Sequence, residues 1–556
     1  MTRTIAFVGA GPTAIYTLHA LLNRQPKPFA LTIFEAQPVA GRGTPYSPGW
    51  NDPAMLANIA GIEIPPLGPS LTDWLRIQSE TRLAAMGVDR EQIDHRTFYP
   101  RLVLGEYFHD CLQALLDRAR DNGLAISLRT RCRVVDAVSG PDGMTLQVRA
   151  RSGTISAERF DHVVLATGHQ WPNNPEARPG YFISPWPAEA IAAIPPCQVG
   201  IRGSSLSAID AAVALALAHG EFVESDDGSI AYRAADGTGG FHMTMMSRKG
   251  LLPEADFFAP LPYEPLTICT AEAMEALIAA DGLLLEPAFA LFKEELAAAD
   301  PEYAETIGLD ALELEDFCES YFARRSDENP FAWAEHNLAE AEQNYAREHV
   351  VPWRYAILRM HEVLALIVPH LDPEEYRRFN RHFKPVFVDD YATVPHASIR
   401  RMLALHRAGK LSVEAIGDDY RIDGHRPQGG AVVIADGARH EYDAFIEATG
   451  QRPLAAKAFP FPSLLRQGII RDAQPDAPPS ALRGIAVDDQ FHPLSPDIPE
   501  DQLFCLSLPF LLGRHPFIQG ITSSQEMGEV VAEQLASALE RSAAPASADA
   551  SAEVAA

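Results

Sequence analysis

Two glycine-rich turns in this chain are of the type that binds a pyrophosphate. Their residues are Gly9-Ala10-Gly11-Pro12-Thr13-Ala14 and Gly203-Ser204-Ser205-Leu206-Ser207-Ala208. In the G-x-G-x-x-G/A pattern, the first glycine makes a tight turn, the second lets the backbone approach a pyrophosphate, and the third small residue keeps the helix close to its strand. Two such sites in one chain predict electron transfer between two dinucleotides.

The first turn lies in the context that makes this pattern informative. An apolar strand from Ile5 to Val8 precedes it and a helix from Ile15 to Leu22 follows it, so a pyrophosphate would lie at the helix N-terminus. Glu35 ends the next apolar strand, roughly twenty residues past the motif, where an acid binds ribose hydroxyls. The alternative is a tight strand-to-helix turn without a ligand. The predicted contacts of this site are Gly9, Gly11, Pro12, Thr13, Ala14 and Glu35.

The second turn departs from the pattern because Ser205 replaces the middle glycine. Serine is small enough to admit a pyrophosphate, and the flanking residues again predict a strand before the turn and a helix after it. The second strand of this unit, Phe241 to Ser247, is followed by two cations, which can pair with a 2′-phosphate and favour NADPH over NADH. The alternative is a solvated basic turn. The predicted contacts here are Gly203, Ser205, Leu206, Ser207, Arg248 and Lys249.

Two further segments share an apolar strand that ends in Ala-Thr-Gly. They are Asp161 to His169, with Ala166-Thr167-Gly168, and Asp443 to Gln451, with Ala448-Thr449-Gly450. Small residues at a strand end allow close backbone approach, which suits a crossing point between nucleotide domains. An ordinary strand-to-turn junction is the alternative.

With Gly41-Arg42-Gly43-Thr44-Pro45-Tyr46 and Leu56-Ala57-Asn58-Ile59, these motifs resemble the FAD-NAD(P)-binding proteins, relatives of flavin-dependent N-hydroxylating and flavin-containing monooxygenases. The resemblance implies that the segment with Arg42 and Gly43 wraps the FAD pyrophosphate and that Asn58 lies beside the isoalloxazine. It also implies that the backbone of Val135 meets the adenine, although Val134 is nearly as good a candidate. Both Ala-Thr-Gly segments would mark the passage between domains.

The end of the chain resembles the same family. Gly520, Ile521 and Thr522 open the last helix, whose N-terminus would stabilise negative charge on a reduced flavin. His515 either reaches the flavin or is structural. No side chain is expected to act as a nucleophile or general base, and the flavin-proximal candidates are Asn58 and His515.

The alternation of strands and helices predicts an α/β fold with two Rossmann-like dinucleotide-binding domains and an α-helical insertion. The predicted segments are 1–194 and 451–541 for an FAD-binding domain, 195–269 and 386–450 for an NAD(P)-binding domain, 270–385 for a helical insertion on the substrate side, and 542–556 for a disordered tail. Several residues of the insertion could line a pocket, although amphipathic helices also carry such residues in the core or on the surface. They are Trp333, His336, Asn337, Trp353, Arg354, Lys384 and Tyr391.

Composition narrows the classes of partner. Among 556 residues, 46 are basic and 74 acidic, and the formal charge of -28 repels nucleic acids and anionic membranes. Met1 leads almost directly into a strand and no apolar run could span a bilayer, so a cytoplasmic protein is expected. The six cysteines form no C-x-x-C pair and no zinc spacing, and the histidines form no metal motif, so no metal site is expected.

The resemblance implies a function for these parts. It implies an FAD-dependent, NADPH-consuming monooxygenase in which a flavin hydroperoxide passes one oxygen atom of dioxygen to a small-molecule substrate. One alternative is an FAD-dependent NAD(P)H oxidoreductase that passes electrons to another acceptor. Another is a non-catalytic nucleotide-binding sensor or interaction protein.

Overall fold

In a computed structural model of the chain, the two glycine-rich turns lie on two separate parallel sheets. The structure describes residues 2–172, 174–225, 228–280, 282–475, 483–499 and 501–541. The predicted disordered tail, residues 542–556, lies outside the described residues. No helix in the described ranges is long and apolar enough to cross a membrane.

The N-terminal part alternates strands and helices. Its strands are β1 (Arg3–Val8), β2 (Phe29–Phe34), β3 (Ala125–Arg129), β4 (Arg133–Gly140), β5 (Gly143–Arg149), β6 (Ile155–Phe160) and β7 (His162–Leu165). Its helices are α1 (Pro12–Asn23), α2 (Leu71–Arg76), α3 (Glu80–Ala85) and α4 (Arg101–Asp121). β1 and β7 are almost continuously apolar and buried, as expected of strands covered on both faces.

The part that carries the second turn follows. Its strands are β8 (Glu176–Arg178), β9 (Tyr181–Phe182), β10 (Gln198–Arg202), β11 (Gly220–Glu224), β12 (Ile230–Ala234) and β13 (His242–Ser247). Its helices are α5 (Ala188–Ala192) and α6 (Leu206–His219). Helix α6 consists mainly of alanine and aliphatic residues and is buried on nearly all sides.

The middle of the chain is helical. Its helices are α7 (Ala271–Ala279), α8 (Leu285–Ala299), α9 (Pro301–Ile307), α10 (Leu314–Ser326), α11 (Pro330–Arg347), α12 (Pro352–Ala365), α13 (Pro373–Arg378) and α14 (Lys384–Tyr391). Phenylalanine rings packed edge to face fill their core, and Phe517, from the loop before the last helix, joins them. We call α7 to α14 the helical domain.

The remaining elements return to both sheets. They are α15 (His396–Arg407), β14 (Leu411–Ala415), β15 (Tyr420–Asp423), β16 (Ala431–Ala435), β17 (Ala438–Tyr442), β18 (Ala444–Glu447), α16 (Pro462–Arg466), β19 (Leu503–Cys505) and α17 (Ile521–Arg541). The first sheet has the order β19-β7-β1-β2-β3 and is parallel throughout, so both ends of the chain build it. With α1 to α4, the loops between them and α17, we call it the first domain.

The second sheet has the order β14-β13-β10-β18-β9-β8 and is parallel except between β8 and β9. With α6 and α15 we call it the second domain. Smaller antiparallel sheets, β4-β5-β6, β15-β16-β17 and the pair β11-β12, are attached to these domains. The predicted fold class, α/β with two Rossmann-like units and a helical insertion, is confirmed.

Helices α1 and α17 cross in close contact. A Cβ on Gly528 would lie 2.8 Å from the backbone nitrogen of Thr17, so the two backbones touch. At the N-terminal ends, the hydroxyls of Thr13 and Ser524 lie 3.1 Å apart. The contact therefore places the start of the last helix beside the first glycine-rich turn.

We expect Gly528→Ala to destabilise the first domain, because the new methyl group meets backbone and the helices must move apart. Overpacking of this kind costs about 1 to 3 kcal/mol. The change should lower the urea midpoint measured by circular dichroism. Gly239→Ala is the matched control, since a Cβ at Gly239 meets nothing within 4 Å. Equal midpoints for the two variants would contradict the close contact.

Candidate functional site

The first glycine of the first turn lies directly against the end of β7. Gly9 has a φ of +103°, and a Cβ there would lie 2.2 Å from the carbonyl oxygen of Ala166. Its N–H donates to the carbonyl of Phe34, at 2.9 Å, which ties the turn to β2 as well. Only glycine fits this position, and the turn opens at the carboxyl ends of β1, β2 and β7.

Glu35 follows β2 and lies under the turn. Its carboxylate accepts hydrogen bonds from the backbone N–H groups of Ala10, at 3.1 Å, and Gln37, at 2.7 Å. Burial raises the pKa of Glu35, while these hydrogen bonds oppose the shift. A carboxylate has about four acceptor positions, so Glu35 retains capacity for a ribose hydroxyl.

The segment with Arg42 and Gly43 passes over the start of α1. A Cβ on Gly11 would lie 3.4 Å from the Cα of Gly43, so little space separates the two loops. Nη2 of Arg42 pairs with Oε1 of Glu106 at 2.5 Å, whereas its buried Nε has no hydrogen-bond partner among the described residues. Arg42 therefore lies in the loop that passes over the start of α1, but it already has a carboxylate partner.

The second turn repeats the construction of the first. Gly203 has a φ of +131°, and a Cβ there would lie 2.4 Å from the carbonyl oxygen of Ala448. Its N–H donates to the carbonyl of Met246 at 2.8 Å. Ser205 is the exposed N-cap of α6, and Leu206 and Ser207 form its first turn. We call these two constructions the first and the second cradle.

The second cradle differs from the first in charge. Ser247 comes directly after Met246, whose carbonyl accepts from Gly203, and so takes the place that Glu35 has in the first cradle. The hydroxyl oxygens of Ser247 and Ser204 lie 3.0 Å apart. Arg248 and Lys249 come next and are exposed. Arg248 lies 3.6 Å from Asp418, and Nζ of Lys249 lies 4.6 Å from the ring centre of Phe322. Cations thus replace the acid at this cradle.

The residues after each Ala-Thr-Gly were missed by the sequence analysis. Nδ1 of His169 and Oε1 of Gln451 are buried atoms without a hydrogen-bond partner in the described part of the chain. Burial lowers the pKa of His169 to about 4, so its ring is neutral at pH 7. Their shared position after the motif is the signal that could have found them. Within the two motifs, Gly168 and Gly450 have φ angles of +66° and +80°. The side chain of Thr449 is exposed.

Asn58 lies where the two domains meet. Together with Leu206 and Asp210, at the start of α6, it lines a narrow cavity. Its Oδ1 is buried and has no hydrogen-bond partner within the described ranges. Arg101 fixes this loop, because its guanidinium donates to the carbonyl of Leu56 at 3.1 Å and pairs with Asp210 at 2.7 Å.

The C-terminal candidates lie on the same side of the first domain. Gly520 is exposed, and Ile521 and Thr522 begin α17 beside Thr13. His515 is half-buried, its buried Nε2 is unpartnered among the described residues, and desolvation lowers its pKa to about 4. Val135 lies at a bulge of β4 where the pairing with β5 skips one residue, so its backbone is outside the ladder.

The structure thus gathers the predicted residues into two groups. Around the start of α1 lie Gly9, Gly11, Pro12, Thr13, Ala14, Glu35, Arg42, Gly43, Ala166, Thr167, Gly520, Ile521 and Thr522. Around the start of α6 lie Gly203, Ser205, Leu206, Ser207, Arg248, Lys249, Thr449 and Gly450. The unpartnered buried atoms of Asn58, His169, Gln451 and His515, with the two cradles, fit two dinucleotides.

The residues of the helical domain that were pocket candidates do not line one common pocket. Trp333 and Arg354 bind Glu254, and the side-chain oxygen of Asn337 accepts from the backbone of Ala255. Burial lowers the pKa of Lys384, and His336 is exposed. The rings of Trp353 and Tyr303 stack with their centres 4.5 Å apart. Among these candidates, Tyr391 lines a cavity.

Comparison with known proteins identifies two matching families. Residues 6–170 match the model of the FAD-NAD(P)-binding family, and residues 270–391 match that of the YdhS-like middle domain. The uncharacterised protein YdhS of Escherichia coli K12 is 41% identical over 532 residues, which cover 95% of this chain and 97% of that protein. The predicted resemblance to FAD-NAD(P)-binding proteins, with FAD and NAD(P) as cofactors, is confirmed.

Solved structures with a similar chain trace include an ornithine N-hydroxylase of Kutzneria sp. 744. Its sequence identity is 15% and its TM-score is 0.48, and the match covers 98% of this chain and 100% of that one. The ornithine hydroxylase of Pseudomonas aeruginosa has 13% identity and a TM-score of 0.47, covering 97% of this chain and 100% of that one. The bacillithiol disulfide reductase of Bacillus cereus has 11% identity and a TM-score of 0.41, with the same coverage.

We expect the purified protein to contain about one FAD per chain, and Gly11→Val to remove it. The backbone of Gly11 has φ −81°, which valine adopts, so the branched side chain should fill the pyrophosphate space without unfolding the domain. Absorbance of flavin released by heat measures the occupancy. Gly240→Val is the control, because a Cβ there meets nothing within 4 Å. Full occupancy in Gly11→Val would contradict the placement of FAD.

Proposed function

The chain belongs to the YdhS-like family of FAD-NAD(P)-binding proteins, and from this premise we propose that it is an FAD-dependent monooxygenase that consumes NADPH and dioxygen. The observation that carries the proposal is the pair of cradles of equal construction, with a cavity lined by Asn58 and Leu206 beside the second one. Two dinucleotides held in this way would be positioned for hydride transfer from one to the other.

In the first cradle, the chain's own groups would bind and orient the flavin nucleotide. The start of α1 would hold the pyrophosphate, Glu35 the ribose, and the helix N-terminus at Gly520 would stabilise negative charge on the ring system. Bound FAD would supply the redox chemistry, accepting a hydride and activating dioxygen. His515, neutral because burial lowers its pKa to about 4, could form a hydrogen bond there without adding charge.

The contact between the domains would keep water out of the reaction. Arg101 and Asp210 are both largely buried and form an ion pair across the two domains. Arg401, from α15, donates to the carbonyl of Ala54 at 2.6 Å and holds the Asn58 loop from the other side. A dry junction suits oxygen transfer, because water destroys reactive intermediates.

The cysteines support oxygen rather than a dithiol as the electron acceptor. All six are unpaired, and burial raises the pKa of Cys111 and of Cys269 to about 12. A thiol attacks or donates as the thiolate, which these surroundings disfavour. Electron transfer to a protein or a quinone is the competing reaction, and it would leave dioxygen without a role.

We predict that Arg248→Ala weakens NADPH binding about tenfold and leaves NADH binding nearly unchanged. A charge-assisted contact with the 2′-phosphate is worth about 1.5 to 3 kcal/mol, and NADH lacks that phosphate. The rate of flavin reduction as a function of cofactor concentration gives both constants. Arg439→Ala, which removes an exposed arginine paired with Glu441, is the matched control. Equal losses for NADPH and NADH would argue against the assignment.

Rapid mixing of NADPH-reduced protein with oxygenated buffer tests the monooxygenase proposal. The flavin hydroperoxide implied by the resemblance stays a prediction, and we expect a blue-shifted flavin spectrum that persists for seconds while NADP⁺ remains bound. Direct return to oxidised flavin with stoichiometric hydrogen peroxide, for every amine and heterocycle added, would favour the reductase alternative. Absence of any NADPH oxidation in FAD-loaded protein would favour the non-catalytic alternative.

A further inference from the structure

A second cavity lies where the first domain, the second domain and the helical domain meet. Glu63 and Arg96 line it from the first domain, Asp256 from the segment that follows the second cradle, and Asp390 and Tyr391 from α14. The volume of the cavity that is open to water is about 50 Å³. A single water needs about 10 to 15 Å³ by that measure, so a head group of a few non-hydrogen atoms fits.

Asp390 carries a buried carboxyl group without a hydrogen-bond partner among the described residues. Its residue is 1% exposed, and neither oxygen has a hydrogen-bond donor among the described residues. The nearest cationic atom is Nε of Arg354, at 3.7 Å. Burial raises the pKa of Asp390 well above its ordinary value, with Asp389 and Glu254 adding to the shift and Arg354 opposing it. Burial therefore disfavours ionisation of this carboxyl unless a further cation lies beside it.

Glu63 and Asp256 are also difficult to ionise. Burial, with a contribution from Asp256, raises the pKa of Glu63 to about 7, although Arg96 and the backbone N–H of Ala60 oppose the shift. Burial likewise raises the pKa of Asp256, whose carboxylate accepts from Tyr345 and, at 3.1 Å, from Thr393. Burial thus opposes the ionisation of all three carboxyl groups around this small cavity.

The surrounding cations are already engaged. Arg325 pairs with Asp389 at 2.7 Å and with Glu254 at 3.2 Å, and Arg354 also pairs with Glu254. Both Nη atoms of Arg96 donate to the carbonyl of Ala259, and its guanidinium lies 4.3 Å from the ring centre of Phe258. The other titratable groups that face these carboxyls are Tyr263, Tyr303, Tyr321, Tyr345 and His396.

The cluster therefore contains more acids than fixed cations. The carboxyl groups are those of Glu63, Glu254, Asp256, Asp389 and Asp390, and the guanidinium groups are those of Arg96, Arg325 and Arg354. Two carboxyl groups have no cation to match them. Buried charges are stable only when they are paired, so these two groups must hold a proton or receive a cation.

We propose that this cavity binds the cationic head group of a small organic molecule and that binding releases a proton from the carboxyl cluster to solvent. The step balances in charge and atoms: the ligand brings one positive charge, one carboxylic acid gives up its O–H proton to water or buffer and becomes a carboxylate, and no other bond is made or broken. The site goes beyond the proposed function, because a monooxygenase and a reductase could equally use it to anchor a substrate.

The lining of the cavity favours an organic cation over a metal ion. The rings of Phe257, Tyr263, Tyr345 and Tyr391 contribute to its wall, and an ammonium group gains energy from such faces. Within the described ranges, no three histidine, cysteine, aspartate or glutamate side chains converge as metal ligands do. The carboxyl groups surround the space instead of meeting at one point.

Calorimetry with ethylammonium as the probe tests the site on the oxidised, FAD-loaded protein, so no turnover is needed. Ethylammonium keeps its charge between pH 6 and pH 8, because alkylammonium groups titrate near the value of lysine. Since the pKa of Glu63 is about 7, the carboxyl is mostly protonated at pH 6 and must lose its proton on binding. We expect binding about tenfold weaker at pH 6 than at pH 8, with proton release visible in buffers of different ionisation enthalpy.

Two variants and two ligands complete the test. Asp390→Asn and Glu63→Gln should each weaken ethylammonium about tenfold at pH 8, and Glu63→Gln should remove most of the pH dependence. FAD content checks that both variants fold. Asp142→Asn is the matched control, because Asp142 is an exposed acid beside Arg159 at a separate surface cavity. Ethanol, of equal size and without charge, should not bind detectably.

Three results would overturn the proposal: ethanol binding as well as ethylammonium, wild-type affinity in both carboxyl variants, or Mg²⁺ displacing ethylammonium stoichiometrically. Failure of the proposed function would look different. A protein that binds ethylammonium with proton release but gives no oxygenated intermediate would retain this site and lose the monooxygenase assignment.

Discussion

Each cradle depends on one approach of two backbones that leaves no room for a side chain. Gly9 lies against the carbonyl of Ala166, and Gly203 lies against that of Ala448. This contact fixes the turn to the end of the neighbouring strand. The turn then sets the direction of the N-terminus of α1 or α6. The direction of a helix N-terminus decides where the negative charge of a pyrophosphate is stabilised. The glycine and the Ala-Thr-Gly segment are therefore one structural unit, although about 157 to 245 residues separate them from one another in the chain.

The two cradles share a backbone and differ in the charge placed beside it. The first has a buried carboxylate, Glu35, held by two backbone N–H groups. The second has Ser247 in that place, followed by two exposed cations, one of them near Asp418. Because an acid suits ribose hydroxyls and cations suit a phosphate, the same backbone can select two different nucleotides. In the proposed function, a few side chains on a repeated backbone would therefore set the nucleotide specificity of each cradle.

Local patterns made the cradles predictable from the sequence. Strand, turn and helix are contiguous around each glycine motif, so their residue types alone indicated two Rossmann-like units. The helical periodicity of residues 270–385 separately indicated the insertion. His169 and Gln451 were missed although both follow Ala-Thr-Gly, because a lone histidine or glutamine has no chemical meaning without its surroundings. The buried state of their unpartnered atoms is visible only once the strands are packed.

The acidic cavity could not be predicted, because its carboxyls come from three distant parts of the chain. In a sequence with 74 acidic residues, each of Glu63, Asp256 and Asp390 has the pattern of a solvated surface group. Trp333 and Arg354, which looked like pocket residues, instead satisfy the buried carboxylate of Glu254. Only the packing of three units distinguishes a surface acid from a buried one.

A short segment after the second cradle connects all of these parts. Its first residues are tied to the cradle, because the hydroxyl of Ser204 donates to the carbonyl of Leu251. Glu254 then enters the ion pairs of the helical domain, Asp256 reaches the cavity, and the carbonyl of Ala259 accepts from Arg96 of the first domain. Since buried ion pairs are costly to break, these contacts hold the segment firmly against its neighbours. The segment therefore connects the cavity, the helical domain and the second cradle through direct contacts.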